Sequence, residues 1–378
     1  MRPLRLRRRR GGGPIAPEVV PRALLEWRRE GTASPASAGG GAGERLRVAI
    51  VVPAFRRGSG GHQTIVHLAR GLAQRGHDVS LWLEDDEGRH EDSEAPAHFA
   101  EFFGWRGLRP AFAGWDGCDV AVATGWQTVH RVLRLPRCGA RAYLVQDHEP
   151  EFYATSASRT WAEQTYGLGL HCIAASRWLA GLLRERYGAS ASHFDLAVDH
   201  EIYRADGAGE RDGSVLFYAR ATTPRRAVPL GLLALEELTR RRPGVPLALF
   251  GEPGPVRAAF AHRSLGVLEG RELAEAYRRA SVGLVLSMTN ISLVPLGMAA
   301  CGLPCVELDT DCLRAEVGGA LELAAFDPIA VADALERLLD DAELRARRAR
   351  KGLAFVAERR WERAAGQVEA GLREALVA

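Results

Sequence analysis

RVAIVVPAFRRGSGGHQTIVHLARGLAQRGHDVSLWLED, residues 47–85, holds one complete structural unit in linear order. It opens with a run of small and β-branched apolar side chains that does not alternate with polar ones, the pattern of a strand buried on both faces. A glycine-rich turn, Gly58-Ser59-Gly60-Gly61, follows, and then Ile65, Leu68 and Leu72 recur at helical spacing until Gly76 supplies a stop. A second apolar run from His77 to Asp85 completes a strand, helix and strand, a unit that pairs its strands in parallel.

The same alternation continues on both sides of a break. DVAVAT (119–124), RAYLVQD (141–147) and HCIAAS (171–176) read as further buried strands, the last running into a helix through Trp178, Leu182 and Leu183. The stretch from Ala205 to Gly213, ADGAGERDG, is polar and glycine-rich, as a linker is. Beyond it come SVLFYAR (214–220), a helix through Leu232, Leu235 and Leu238, and strands at PLALFG (246–251), GVLE (266–269), VGLVLS (282–287) and PCVEL (304–308). Asp327 and Pro328 form an N-cap and first helical residue for a helix through Leu335 and Leu339. Trp361, Ala365, Val368, Leu372 and Leu376 share one face of a last helix.

The expected architecture is α/β, with two doubly wound domains at 45–205 and 206–355. The final segment, 356–378, is expected to cross back to the first domain. Residues 1–44, with RLRRRR and SPASAGGGAG, are expected to form a disordered Arg/Gly-rich tail, since they offer little apolar surface to offset the entropy of ordering. Its arginines suit anionic lipid headgroups or an acidic glycan precursor, with a simply solvated or misassigned start as the favoured reading.

A chain of 378 residues that is 47% apolar and 26% charged is long and apolar enough for two cores, which excludes a wholly disordered class. The net charge of +3, concentrated at the start, argues against a nucleic-acid partner. No run of about 18 apolar residues is present to span a bilayer. Cys118, Cys138, Cys172, Cys301, Cys305 and Cys312 are scattered and no secretory signal precedes them, which favours reduced thiols and a cytoplasmic location. Cys301, Cys305 and Cys312 lack the paired arms of a zinc site, so no metal is expected.

Three stretches carry chemistry. The Gly58–Gly61 turn lets backbone amides approach a ligand at a helix N-terminus, with Gly60 and Gly61 closest to the helix, although a tight turn alone would look the same. In FYARATTPRR, Arg220 ends a strand and Arg225 follows five residues later with Arg226 beside it; guanidinium pairs of this kind suit a diphosphate, and a solvated basic loop is the alternative. In LSMTNISLVPLGMAACGLP, residues 286–304, Thr289, Asn290 and Ser292 lie in a polar loop before a helix entered near Leu293, whose free amides suit a phosphate. On the other side, QDHEPEFY (146–153) is dense in ionisable groups. Asp147, His148 and Glu149 are the candidates to orient an acceptor hydroxyl or take its proton, with His148 best matched to neutral pH and helix capping the competing role for the acids. His62, Trp126 and Gln127 sit at other strand ends and Glu84 lies near the second strand.

LSMTNISLVPLGMAACGLP resembles the carboxyl-terminal signature of family 4 retaining glycosyltransferases, and with the SGGH turn, VQDHEPEFY, FYAR-TPRRA and FVAERRWE it is similar to rhamnosyltransferases of the WsaF type from about Arg47 onward. The resemblance implies the GT-B fold: two Rossmann-like domains facing across a cleft. It implies that Arg220 and Arg225 hold a donor diphosphate, with Tyr218, Asn290, Ser292 and Leu293 around the nucleotide. The family carries two glutamates separated by seven intervening residues where this chain has Thr289 and Gly297, so a hydrogen-bond acceptor for the nucleotide's sugar hydroxyls is expected to be missing. The expected activity is transfer of a sugar, rhamnose from dTDP-rhamnose, to a surface polysaccharide or lipid-linked glycan, with no further cofactor and with peripheral contact at the inner membrane face. A sugar-nucleotide epimerase and a catalytically silent glycan- or nucleotide-binding protein are the alternatives.

Overall fold

A computed structural model describes residues 20–35, 44–205 and 210–377. Helix α1 (Arg22–Glu30) comes first and is followed by β1 (Arg47–Pro53), α2 (Gly60–Gln74), β2 (Asp78–Glu84), α3 (Ala95–Phe103), β3 (Arg109–Pro110) and β4 (Cys118–Ala123). Then come α4 (Trp126–Arg134), β5 (Cys138–Val145), α5 (Ala157–Thr165), β6 (His171–Ala174), α6 (Arg177–Tyr187) and β7 (Ala191–His193). These seven strands form one sheet in the order β3-β2-β1-β4-β5-β6-β7, paired in parallel throughout. Val48 of β1 sits between Val79 and Val120, which explains why each of these runs is apolar without alternation.

The second domain repeats the plan with β8 (Val215–Tyr218), α7 (Val228–Arg241), β9 (Leu247–Phe250), β10 (Arg263–Ser264), α8 (Gly270–Arg279) and β11 (Val282–Leu284). It ends with α9 (Leu293–Ala300), β12 (Cys305–Leu308), α10 (Asp311–Val317), β13 (Glu322–Ala324), α11 (Pro328–Asp340) and α12 (Ala342–Ala357), before α13 (Trp361–Val377). Its sheet order, β10-β9-β8-β11-β12-β13, is again all parallel. In both sheets the order reverses beside the first strand, so each domain opens a crevice at its strands' carboxyl ends.

Two expectations need correction. The strand expected at Gly266–Glu269 is a loop; the edge strand is Arg263–Ser264, and Gly266, at φ +68°, turns the chain away. Residues 22–30, expected within the structureless tail, form α1, which docks on α4. Ala23 is fully buried, Trp27 packs near His130 with ring centroids 5.3 Å apart, and Arg134 pairs with Glu26 and, at 2.7 Å, with Glu30. Surface that looks too small for a core of its own suffices when a neighbouring helix supplies the other half. The arginine run lies outside the described residues.

Asp327 caps α11 through its side chain, accepting from Ala330 N. Helix α13 crosses back and packs on α2, with Ala365 and Leu372 fully buried. A Cβ added at Gly71 would lie 2.5 Å from Ala365 Cβ, so only glycine permits this approach. Gly71→Ala is expected to cost about 1–3 kcal/mol through overpacking, read by urea denaturation, and Ala365→Gly in the same chain should recover part of it. The two crossings between domains run side by side, joined by Val198 N donating to Arg359 O at 3.0 Å. All six cysteines are buried free thiols. Among the described residues no helix is long and apolar enough to cross a membrane.

Candidate active site

The loops after β1, β4 and β5 of the first domain face the segments after β8 and β11 of the second. Between them lies a cavity of about 300 Å³. Gly60 and Gly61 are the first two residues of α2, so the amides of its first turn open towards this space, and Gly58, at φ +70°, makes the turn that brings them there. His62 is buried, 2.8 Å from Ser59 Oγ through Nδ1 and 3.3 Å from Pro53 O through Nε2. Burial pushes its pKa down to about 4, so it is a neutral clamp on the glycine turn.

Four guanidinium groups line the cavity: Arg56, Arg220, Arg225 and Arg226. Arg220 donates to Gly58 O at 2.8 Å across the cleft. Arg225 reaches across to Asp147, Nε lying 3.2 Å from Oδ2, and its guanidinium carbon stands 3.9 Å from the Phe152 ring centroid. The short 3-10 turn Pro224–Arg226 aims the neighbouring residues differently, and buried Arg226 donates instead to Ser287 Oγ at 2.6 Å. Arg56 was not singled out by the sequence, and Arg226 was read only as a neighbour of Arg225. The cue was present in both dibasic pairs. Ser292, at the N-cap of α9, has a buried Oγ without a hydrogen-bond partner among the described residues, beside the helix's free amides. Four cations, two helix N-termini and an open hydroxyl around one cavity suit a polyanion.

The expected acid–base trio divides three ways. Asp147 is an interdomain fastener: Oδ1 accepts from His148 N at 2.9 Å and Asn290 N at 3.0 Å, and Oδ2 accepts from Thr289 Oγ1 at 2.9 Å. His148 does not face the cleft, which corrects its expected role. Its Nε2 lies 2.7 Å from Tyr187 Oη among the rings of Tyr166 and Tyr187, and burial lowers its pKa. Glu149 does line the cavity, and Oε2 accepts from Trp126 N at 2.7 Å, capping α4. Burial nevertheless pushes its pKa up to about 7 against that hydrogen bond. Trp126 itself is buried and donates to Tyr153 Oη at 2.9 Å; Gln127 lines the cavity. Glu84 is bound to Arg131 at 2.6 Å.

Asn290 also departs from its expected donor role. Its Nδ2 donates to Gln146 O and Ala175 O at 3.1 and 2.8 Å, while Oδ1 accepts from Ser176 Oγ at 3.0 Å and Cys312 Sγ at 3.2 Å. Thr289 and Asn290 therefore hold the domains together next to the cavity, whereas Ser292 and Leu293 line it.

A second cavity of about 250 Å³ adjoins the first, sharing Gly60, Tyr218, Arg220 and Leu293. Tyr203, Phe250, Tyr277 and Trp361 contribute rings to its walls, and Glu269 Oε1 is buried there without a partner among the described residues. Flat walls joined to a cationic cavity suit a nucleoside attached to phosphates. Gly297 lies on this wall, where a Cβ would meet Tyr277 Cε2 at 3.1 Å and Tyr203 Cδ1 at 3.5 Å. The tyrosines stand where a longer side chain would project. Gly297→Glu is thus expected to lower the melting temperature by several degrees and to weaken nucleotide binding, both read by thermal denaturation with and without ligand.

Two parallel-sheet, Rossmann-like domains meeting across such a cleft, with the last helix returning to the first, constitute the GT-B architecture of glycosyltransferases. Within it, residues 213–336 match the model of the WsaF C-terminal domain. The chain is 34% identical over 264 residues to the O-antigen biosynthesis protein RfbC of Myxococcus xanthus, which covers 68% of this chain and 21% of that protein. The chain thus spans about a fifth of that relative. It is 28% identical over 355 residues to a D-inositol 3-phosphate glycosyltransferase of Frankia alni, covering 83% of this chain and 84% of that one. Among solved structures, the sucrose-phosphate synthase of Thermosynechococcus elongatus superposes with a TM-score of 0.68 at 17% identity, covering 88% of this chain and 100% of that one. Anabaena HepE in complex with UDP and glucose gives 0.66 at 12% identity, covering 87% and 100%. At these identities the structural likeness speaks for the fold.

Proposed function

We propose that this chain is a glycosyltransferase that moves a sugar from a nucleotide diphosphate donor to a surface polysaccharide or its lipid-linked precursor, with dTDP-rhamnose, which the sequence resemblance implies, as the donor. The observation that carries the reading is the cationic cavity continuous with an aromatic pocket, which fits a diphosphate and a nucleoside together. Anabaena HepE, captured with UDP and glucose, shares the fold.

In this reading the charge that develops on the departing diphosphate is met by Arg220, Arg225, Arg226 and the first amides of α2 and α9, preorganised in a partly closed cleft. The guanidinium groups fill the role a divalent cation otherwise plays, and we assign no metal. Retention of configuration is what the family resemblance implies. Glu149 is the group that orients or takes the acceptor's proton, since His148 points away and Asp147 is occupied. Only the ionised carboxylate accepts a proton, so kcat/KM is expected to rise with pH through about 7, and Glu149→Gln should abolish that limb of the profile. An epimerase needs two acid–base groups free on either side of a sugar, and the occupied Asp147 argues against it. A cytoplasmic enzyme that meets its acceptor at the membrane surface is consistent with this assignment.

Thermal denaturation with dTDP, UDP, GDP and ADP, with and without magnesium, tests the reading. Selective stabilisation by dTDP without metal supports a dTDP-sugar donor. Preference for UDP or GDP changes the sugar; stabilisation by none of the four overturns the donor site.

A further inference from the structure

Glu307 is an acid inside a strand that otherwise reads as core. It lies on β12, is fully buried, and takes no direct part in the reaction described above. Burying an ionised carboxylate is costly unless every lone pair finds a donor and an opposite charge is near. Oε2 accepts from Ser287 N at 2.8 Å and Leu308 N at 3.0 Å, and Oε1 accepts from Ser287 Oγ at 2.7 Å. A serine hydroxyl has one proton, and here it goes to Glu307. Ser287 Oγ is therefore left as an acceptor, filled by Arg226 Nη1 at 2.6 Å. The direction of the chain is fixed, Arg226 to Ser287 to Glu307.

We infer that Glu307 is a positioning residue for the donor, acting through Ser287 to hold the Arg226 guanidinium on the cleft floor. This rests on the reading of the cleft as a nucleotide diphosphate site. The hydroxyl between them matters. A carboxylate in direct contact would occupy the guanidinium face that a phosphate needs, whereas a counter-charge one hydroxyl away keeps the arginine in one place and leaves its remaining N–H groups for the ligand. Arg225 shows the contrast, since its charge is met directly by Asp147. Burial pushes Glu307 up to about 7, and the Ser287 and Leu308 donors and the Arg226 charge oppose that rise. The Arg226 charge thus favours the ionised form of the acid.

A double-mutant cycle on the full chain tests this, with dTDP and UDP titrated calorimetrically against Arg226→Ala, Glu307→Gln and the double variant. Each single change is expected to weaken nucleoside diphosphate binding about tenfold, and the double variant should bind no more weakly than Arg226→Ala alone. A purely structural acid would lower the melting temperature without that coupling. Wild-type affinity in Glu307→Gln, or losses that multiply in the double variant, would overturn the assignment. If Glu307→Gln fails to fold, Ser287→Ala decides in its place: a loss coupled to Arg226 supports the relay, and wild-type affinity overturns it. A wild-type chain that binds neither of these, nor GDP or ADP, overturns the diphosphate reading itself, and the relay with it.

Discussion

Arg220→Ala is expected to lower kcat/KM by about two to three orders of magnitude, with most of the loss in kcat. Arg220 lines both cavities, the only one of the four cleft arginines to do so, and thus stands where the nucleoside's phosphates would pass from one to the other. A charge-assisted donor aimed at a leaving diphosphate acts most strongly when the bond breaks, and removing one such preorganised donor typically costs about 10²–10³ in turnover. Arg220 also ties the β1–α2 loop across the cleft through Gly58 O, so its loss loosens that loop as well. Arg220→Lys separates the two effects, because a lysine keeps the charge without the forked geometry. Turnover of the alanine variant within about threefold of wild type would remove Arg220 from the reaction.

The second large effect is expected at Asp147. Removing the carboxylate in Asp147→Ala strands Arg225, the Thr289 hydroxyl and the Asn290 amide at a buried interface. Breaking a buried charged cluster in this way costs about 3–5 kcal/mol. For domains of this size that corresponds to a fall of roughly 6–20 °C in melting temperature. The expected accompaniment is a larger radius of gyration in small-angle scattering, as the domains part. Asp147→Asn retains an acceptor oxygen and should keep more of the stability. A variant that loses all activity yet melts like wild type would make Asp147 a catalytic group and not a fastener.

Much of the fold was legible because a sheet covered on both faces writes itself into sequence as unbroken apolar runs. RVAIVVP, CDVAVA and VLFY needed no partner to be recognised. The short edges β3, β7 and β13 were missed, since two or three residues carry no period. Helix α1 was missed because its apolar face is completed by α4, roughly a hundred residues away. The cleft was legible at the level of loops and not of directions. Asp147, His148 and Glu149 are consecutive, yet one crosses to the second domain, one turns to Tyr187 and one caps α4. The same holds for Arg225 and Arg226, consecutive residues of a single 3-10 turn that aims them differently. Neighbours in a strand-end loop share a position but not an orientation, and orientation decides chemistry.

Sugar transfer is tested most directly by incubating the purified chain with dTDP-rhamnose and fragments of a surface polysaccharide and following both released nucleotide and acceptor mass. The expected result is dTDP release that depends on the acceptor, matched by a gain of one deoxyhexose on the glycan and lost in Arg220→Ala. Should the chain bind dTDP-rhamnose and release no nucleotide with acceptor present, or convert the donor to an isomer without acceptor, the glycosyltransferase assignment is contradicted.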